Sequence, residues 1–189
     1  MVLLMDENIK VKQHCSLHFT YQMLFHCSTT WQSIMSKNLP KQESSWQAYK
    51  SLAVNVLDPL VEHFGIPFIT YGFSSNELTA SIRKKLKPNI SPPLDQHSAC
   101  ELNKNGNLIC PRQGAAVDLI YPNISSFKVA IWLANNTPFD RLYIYGDERP
   151  LHVSYGPEDS RKIVLLETKN NKQIPKTISL EKLKGMSKC

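Results

Sequence analysis

The sequence predicts an α+β domain, because segments with helical periodicity and short strand-like segments follow one another along a chain of 189 residues. Three segments have the spacing of helices, and five are short runs rich in β-branched and aromatic residues. The predicted helices are 46–64, 76–86 and 127–135, and the predicted strands are 66–71, 117–121, 142–145, 151–155 and 162–166.

The longest predicted helix has apolar side chains every three or four residues from Trp46 through Leu52 to Phe64. Gly65 is its expected end, because glycine readily takes the backbone conformation that closes a helix. Pro59 lies inside the pattern, and we expect a kink there because proline lacks the N–H that a helix interior needs.

A chain of this length fits one domain, 1–189, with a substantial core. We divide it into an N-terminal helical cover, 1–45, a core, 46–166, and a charged tail, 167–189. Short capped helices are predicted at 18–24 and 28–31, and the next helix has Ser75 or Asn76 available as its cap. After Pro175 we expect a surface helix or partial disorder.

The net charge of +6 is compatible with an anionic partner, and the basic run 83–87 is the local feature that supports nucleic acid. Basic runs are also typical of helix ends, and this one lacks the interleaved aromatic residues of single-strand binding surfaces. Nucleic acid is therefore the less favoured partner.

The chain has no apolar stretch of the ~20 residues that a membrane span needs, and its start has no basic leader or small-residue cleavage site. We expect a soluble, cytoplasmic protein without a membrane partner. Release from the cell by a route that needs no signal peptide stays open. The five cysteines are irregularly spaced, which argues against a disulfide framework.

Three residues form a candidate metal site. Asp118 and His152 each lie within a strand-like run, so a rigid element would hold each side chain. With His97 upstream, the set is His, Asp, His, and three protein ligands with one open position are typical of a catalytic zinc ion. A carboxylate within an apolar strand such as Asp118 is costly to bury unless it is paired or binds a metal.

These residues resemble the signatures of the zinc D-alanyl-D-alanine carboxypeptidases and phage endopeptidases, which share the Hedgehog/DD-peptidase fold. Gly114, Ala116 and Asp118 match the Gly-x-Ala-x-Asp half of the first signature, and His152 with Ser154 matches the His-x-Ser end of the second. Weaker matches at 51–60, 64–65 and 70–78 precede them in the family's order, so the resemblance covers roughly 49–164.

The resemblance implies a small antiparallel sheet with helices packed on one side. It also implies one Zn²⁺ ion held by His97, Asp118 and His152, and Glu148 as the general acid/base. The implied reaction is cleavage of a peptide or amide bond in a cell-wall type substrate such as peptidoglycan, by attack of metal-bound water.

The sequence departs from the family pattern at three points. Glu148 lies four residues before His152, which is not the family's usual offset. Pro111 occupies the place of the first His, so the segment 98–111 must loop out to leave His97 beside Asp118. Ser74 stands where the family has a substrate-binding Arg. We expect Arg112, Arg149 or Tyr71 to supply the lost group. The predicted substrate-binding residues are therefore Tyr71, Ser74, Arg112 and Arg149.

Several alternatives stay open at this stage. Asp147 could replace Glu148, or both acids could simply lie in a turn and pair with Arg149. Cys100 and Cys110 bracket the loop and could join His97 in a thiolate zinc site. The chain could also be a metal-binding protein without peptidase activity that contacts nucleic acid or another anionic partner, or a metal-dependent hydrolase of phosphate or nucleotide substrates.

Overall fold

A six-stranded mixed sheet organises the protein. The computed structural model describes residues 7–27, 38–84, 91–169 and 172–187. The strands are β1 (Phe68–Tyr71), β2 (Ala115–Ile120), β3 (Arg141–Ile144), β4 (Leu151–Tyr155), β5 (Lys162–Lys169) and β6 (Lys172–Ile178). They lie side by side in the order β1, β2, β4, β3, β5, β6. The α+β class expected from the sequence is thus confirmed.

The expectation of a purely antiparallel sheet was wrong, because β3 and β5 pair in parallel. All other neighbouring strands pair antiparallel. The chain leaves β4 and crosses to the far side of β3, so β5 runs in the same direction as β3. The backbone of Asp140 helps to fix this crossover by accepting a hydrogen bond from the N–H of Lys162 at 3.0 Å.

The two faces of the sheet differ in chemistry, since side chains alternate between the faces along a strand. One face carries Val117, Leu142 and Val153, which are fully buried in the main apolar core. The opposite face carries Asp118, Tyr143 and His152, which lie directly across from one another on three neighbouring strands. We call this second surface the site face.

Helices cover the apolar face, and the longest helical stretch lies on it. It comprises α3 (Glu43–Leu52), a π-helical turn (Ala53–Leu57) and α4 (Asp58–Phe64), and it ends at Gly65, whose φ is +83°. The wide π-helical turn ends two residues before Pro59, the position where the sequence predicts a kink. Because a proline ring clashes with the carbonyl four residues earlier, an i to i−5 bond from Asp58 to Ala53 accommodates it.

The remaining helices are short. They are α1 (Glu7–Lys10), α2 (Tyr21–Leu24), α5 (Asn76–Arg83), α6 (Ser126–Asn136) and α7 (Leu180–Met186). Helix α5 begins with the hydroxyl of Ser75 accepting a hydrogen bond from the N–H of Leu78 at 3.1 Å, as the capping prediction required. The predicted helix at 28–31 and most of the basic run 83–87 lie outside the described residues.

The described residues of the C-terminal tail form two elements. Its first part is the strand β6, which pairs with β5 along its whole length. Its second part is α7, which Ser179 caps and whose Leu183 is fully buried against the core. The helix expected after Pro175 is thus present at Leu180–Met186, and Ile178 and Leu183 bury apolar surface despite the surrounding charges.

In the part of the chain that the structure describes, each helix is too short or too polar to cross a bilayer.

Candidate metal centre

Two strands bring Asp118 and His152 together. In the antiparallel pair of β2 and β4, Asp118 lies directly opposite His152. Gly114, at the start of β2, has a φ of +79°, and a Cβ there would lie 2.2 Å from the carbonyl oxygen of Tyr155. The glycine of the first signature therefore allows β4 to approach closely enough for this register.

His97 reaches the site from a short 3₁₀ turn, Gln96–Ser98, that crosses the site face. Asp95 caps this turn by accepting a hydrogen bond from the N–H of His97 at 3.0 Å. The hydroxyl of Tyr49 on α3 lies 3.2 Å from the carbonyl oxygen of His97 and 3.0 Å from that of Ala116. Tyr49 thus ties the backbone of His97 to helix α3 and to strand β2.

The inserted segment loops out, as the resemblance required. It forms a small hairpin in which Leu102 and Leu108 make an isolated β-bridge. The N–H of Ile109 returns to the carbonyl of Glu101 at 2.9 Å. His97, at the base of the loop, therefore lies beside Asp118 despite the extra residues.

The three candidate ligand atoms form a compact triangle. His152 Nδ1 lies 2.9 Å from Asp118 Oδ1 and 3.2 Å from His97 Nε2, and His97 Nε2 lies 3.3 Å from Asp118 Oδ1. In a tetrahedral zinc site with bonds of ~2.0–2.1 Å, neighbouring ligand atoms are ~3.3 Å apart. His97, Asp118 and His152 could therefore hold a metal ion on one triangular face of its coordination shell.

A second hydrogen bond orients the imidazole of His97. Its Nδ1 lies 2.9 Å from the carbonyl oxygen of Gly72. Because a carbonyl can only accept, Nδ1 carries a proton and Nε2 is the atom left for a metal. The close packing behind Gly72 fixes that carbonyl, since a Cβ there would lie 1.9 Å from the carbonyl oxygen of Leu24.

The cluster is strongly coupled electrostatically. Burial by itself lowers the pKa of His97, but the charge and hydrogen bond of Asp118 outweigh it, and the pKa is raised to about 9. Burial raises the pKa of Asp118, but His97 and His152 together hold it well below its usual range. A carboxylate and a protonated imidazole therefore coexist, and a metal ion has to displace that proton to bind.

A cavity of about 370 Å³ opens over the cluster. Aromatic rings form much of its wall: Tyr71 packs edge-on against His97 at 4.7 Å between ring centroids, and Tyr143 packs edge-on against His152 at 5.0 Å. The lining also includes Asp95 and Tyr145. The site is thus a ligand-accessible cavity with three candidate metal ligands in its wall.

Comparison of the chain with protein-family models, with curated proteins and with solved structures gave no match. The fold and the cluster therefore stand on the geometry alone.

The four residues predicted to bind substrate have different surroundings. Tyr71 lines the cavity, and its hydroxyl donates to Ser74, which is buried behind it. The Nη1 of Arg112 donates to the carbonyl of Leu94 at 3.2 Å and to the hydroxyl of Tyr143 at 3.3 Å, so it contacts the wall from outside.

The predicted acid/base residue, Glu148, lies in the turn between β3 and β4 and is exposed, as is Arg149. Neither residue is part of the cavity lining. Asp147 has a structural role, because its carboxylate accepts a hydrogen bond from the N–H of Phe127 at 3.3 Å at the start of α6. Of the predicted residues, the three ligands and Tyr71 come together at the cavity.

The alternative thiolate site is not formed by the described residues. The His97, Asp118, His152 group is the one candidate metal cluster found among them, and it contains no cysteine. Cys110 is fully buried, with its thiol directed to the carbonyl of Pro93.

The polar lining residues that sequence reasoning missed include Asp95, Tyr143 and Tyr145. A signal for Tyr143 was present, since it alternates with Leu142 and Ile144 on β3. The position of that strand next to β4 follows from the tertiary structure and places Tyr143 opposite His152.

Proposed function

We propose that the protein is a zinc-dependent hydrolase that cleaves a peptide or amide bond, similar in its chemistry to the D-alanyl-D-alanine carboxypeptidases. One observation carries the proposal. Three side chains from different elements direct one nitrogen or oxygen atom each to a common point at the wall of a cavity.

The donor set supports zinc. Two imidazole nitrogens and one carboxylate oxygen are typical ligands of catalytic zinc, which keeps a further coordination position for water or substrate. When bound in such a site, zinc lowers the pKa of a bound water toward 7 and polarises a carbonyl group. The cavity above His97 and His152 leaves room for a substrate at that position.

The arrangement of the ligands on the sheet supports the resemblance. Strands β1, β2, β4 and β3 form an antiparallel group, and the Asp and the second His of the signatures lie on the adjacent strands β2 and β4. Ser154, the last signature residue, accepts a hydrogen bond from the N–H of Arg141 at 3.1 Å and so ties β4 to β3.

Glu148 is the acid/base residue that the resemblance implies. It lies on the turn that leads directly into the strand of His152. Its exposure favours a second candidate function, a metal-binding protein without peptidase activity that contacts an anionic partner. If the protein is a peptidase, replacing Glu148 should lower the rate of hydrolysis. A metal-binding protein without peptidase activity has no such rate to lower.

The test compares metal content and turnover in the wild type, in Glu148→Gln and in Glu62→Gln, a surface control on α4. Substrates are muropeptides ending in D-Ala-D-Ala, cross-linked peptidoglycan stems and simple nucleotides. We expect one zinc per chain in all three proteins, and a turnover lowered ~10²–10⁴-fold in Glu148→Gln alone, the loss typical of a proton-transfer group.

Full zinc content without hydrolysis above the Glu148→Gln background would exclude the peptidase and leave the metal-binding protein. Hydrolysis of the nucleotides alone would reassign the substrate to the phosphate class. Failure to bind zinc at neutral pH would overturn both the enzyme and the metal-binding protein.

A further inference from the structure

The charge of the cavity wall differs from the charge of the whole chain. The chain carries a net charge of +6, whereas the described residues of the lining include two carboxylates, Asp95 and Asp118, and neither lysine nor arginine. Asp118 belongs to the metal cluster. Asp95 is therefore the carboxylate in this lining that stays available to a ligand.

The structure holds Asp95 in a defined position. One of its oxygens accepts the hydrogen bond from the N–H of His97 at 3.0 Å, and the side chain is only partly buried. A carboxylate has a second oxygen that can accept further hydrogen bonds. Because the residue caps the turn that carries His97, its charge lies at a fixed place beside the metal cluster.

Asp95 shares the cavity wall with Tyr71 and Tyr145. Tyr71 lies on β1 and Tyr145 follows β3, so they belong to different parts of the wall. Because charges interact over several ångströms in a partly enclosed space, a ligand bound between these rings experiences the charge of Asp95.

The cations that would favour a carboxylate ligand are engaged or lie elsewhere. Ser74 replaces the arginine of the related peptidases and hydrogen-bonds to Tyr71 and to Thr79. Arg112 makes no ion pair with Asp95 within the described part of the chain, and its Nη1 is bonded to Leu94 and Tyr143. Arg149 is exposed on its turn.

We propose that the cavity selects ligands that carry a positively charged amine in addition to the metal-binding group, and that Asp95 is the specificity-determining residue. The proposal rests on the proposed metal-dependent function and names its substrate class: an amide or peptide that also carries an ammonium group rather than a free carboxylate. Aromatic rings attract the same ligands, because their faces interact favourably with cations.

The test uses three hydroxamates of similar length, which bind a metal by the same group and differ at the far end. Aminocaproic hydroxamate ends in an amine, adipic monohydroxamate in a carboxylate, and caproic hydroxamate in a methyl group. Their affinities for the zinc-loaded protein are measured by calorimetry, with zinc content and unfolding temperature recorded for each variant. No turnover is needed.

We expect the amine probe to bind at least about tenfold more tightly than the carboxylate probe, with the methyl probe between them, because like charges in one cavity repel and opposite charges attract. Asp95→Asn should reduce that ratio to less than about threefold, since Asn caps the turn as well as Asp does but carries no charge. Glu62→Gln removes one surface charge of the same sign and should keep the ratio of the wild type.

Equal or tighter binding of the carboxylate probe overturns the inference, as does an unchanged ratio in Asp95→Asn. In both cases, binding of the methyl probe shows that the metal site itself is intact. If no hydroxamate binds to fully zinc-loaded protein, the proposed function fails and the inference fails with it. If Glu62→Gln lowers the ratio of amine-probe to carboxylate-probe affinity as much as Asp95→Asn does, the selectivity comes from the net charge of the protein. That result overturns the role of Asp95.

Discussion

Two clusters lie beside the 3₁₀ turn Gln96–Ser98, and each contains an aspartate. The charge of the aspartate is compensated by different kinds of group in the two clusters. Asp140 is fully buried and accepts hydrogen bonds from the N–H of Ser160 at 2.7 Å and from Gln96 at 2.9 Å, and it pairs with the guanidinium of Arg141. In the part of the chain that the structure describes, the carboxylate of Asp118 pairs with the imidazoles of His97 and His152, and its side chain is 21% exposed beside the cavity.

The difference separates a structural network from a candidate reactive site. Arginine keeps its charge under all ordinary conditions and has no lone pair to offer to a metal, so the Asp140 cluster is closed. Imidazole can lose its proton and present a nitrogen to a metal, so the Asp118 cluster is open. Gln96 and His97 are neighbours in the chain, and each belongs to a different cluster.

Removal of Asp118 is the change with the largest expected effect. Asp118→Ala takes away the charged ligand of the open cluster, so we expect stoichiometric zinc to fall to near zero. The loss should exceed the ~10–100-fold weakening typical of an outer-shell change. Metal analysis after dialysis measures it, with circular dichroism as the check on folding. Retention of one zinc per chain would show that the ion lies elsewhere.

A substitution in the closed cluster around Asp140 should change the free energy of unfolding rather than the zinc content. Asp140→Ala leaves the buried guanidinium of Arg141 without its nearest partner, and breaking a buried pair in this way costs ~3–5 kcal/mol. Urea unfolding measures the change. Zinc per folded chain should stay at the wild-type level.

Glu158 provides the control for this change, because it pairs with the same guanidinium but is half exposed. Glu158→Gln should lower the free energy of unfolding by no more than ~1 kcal/mol. Similar losses in Asp140→Ala and Glu158→Gln would argue against a closed, buried network.

Replacing Gln96, the neighbour of His97 that contacts the Asp140 cluster, should have an intermediate effect. Gln96→Ala removes a side chain that donates to Asp140 and to the carbonyl of Gln113 at 2.9 Å each. Leaving these buried acceptors with fewer partners should lower the free energy of unfolding by ~1–3 kcal/mol. Zinc affinity, measured by competition with a chelator, should fall less than in Asp118→Ala, since all three ligands remain.

The smallest effect is expected next to His97. Ser98 is fully buried, and its hydroxyl has no hydrogen-bond partner among the described residues. Ser98→Ala should therefore raise the free energy of unfolding by ~1 kcal/mol, the lower end of the cost of burying an unpaired hydroxyl. Ser154→Ala is the matched control and should lower it by ~1 kcal/mol, because that hydroxyl has a partner. Losses of equal size in both variants would contradict the assignment for Ser98.

Much of the local structure could be predicted from the sequence. The helix that includes Trp46, the strand β4 and the cap at Ser75 follow from periodicity and from capping chemistry, which act between near neighbours in the chain. Asp118 and His152 were also found, because small and hydroxyl residues stand at short spacings around them, and His97 was found as the nearest histidine upstream of the inserted segment. The exposure of Glu148 was missed, since a turn residue can face either toward a cavity or toward solvent.

The sequence by itself determined the α+β class, most of the helices and strands, and the identity of the three residues that could bind a metal. Only the tertiary structure decided the parallel pairing of β3 with β5, the closed network around Asp140 and the aromatic and acidic wall of the cavity. The physical reason is distance along the chain. His97 and His152 are 55 residues apart, and Gln96 and Asp140 are 44 apart, so their contacts depend on strand order and register rather than on local preference.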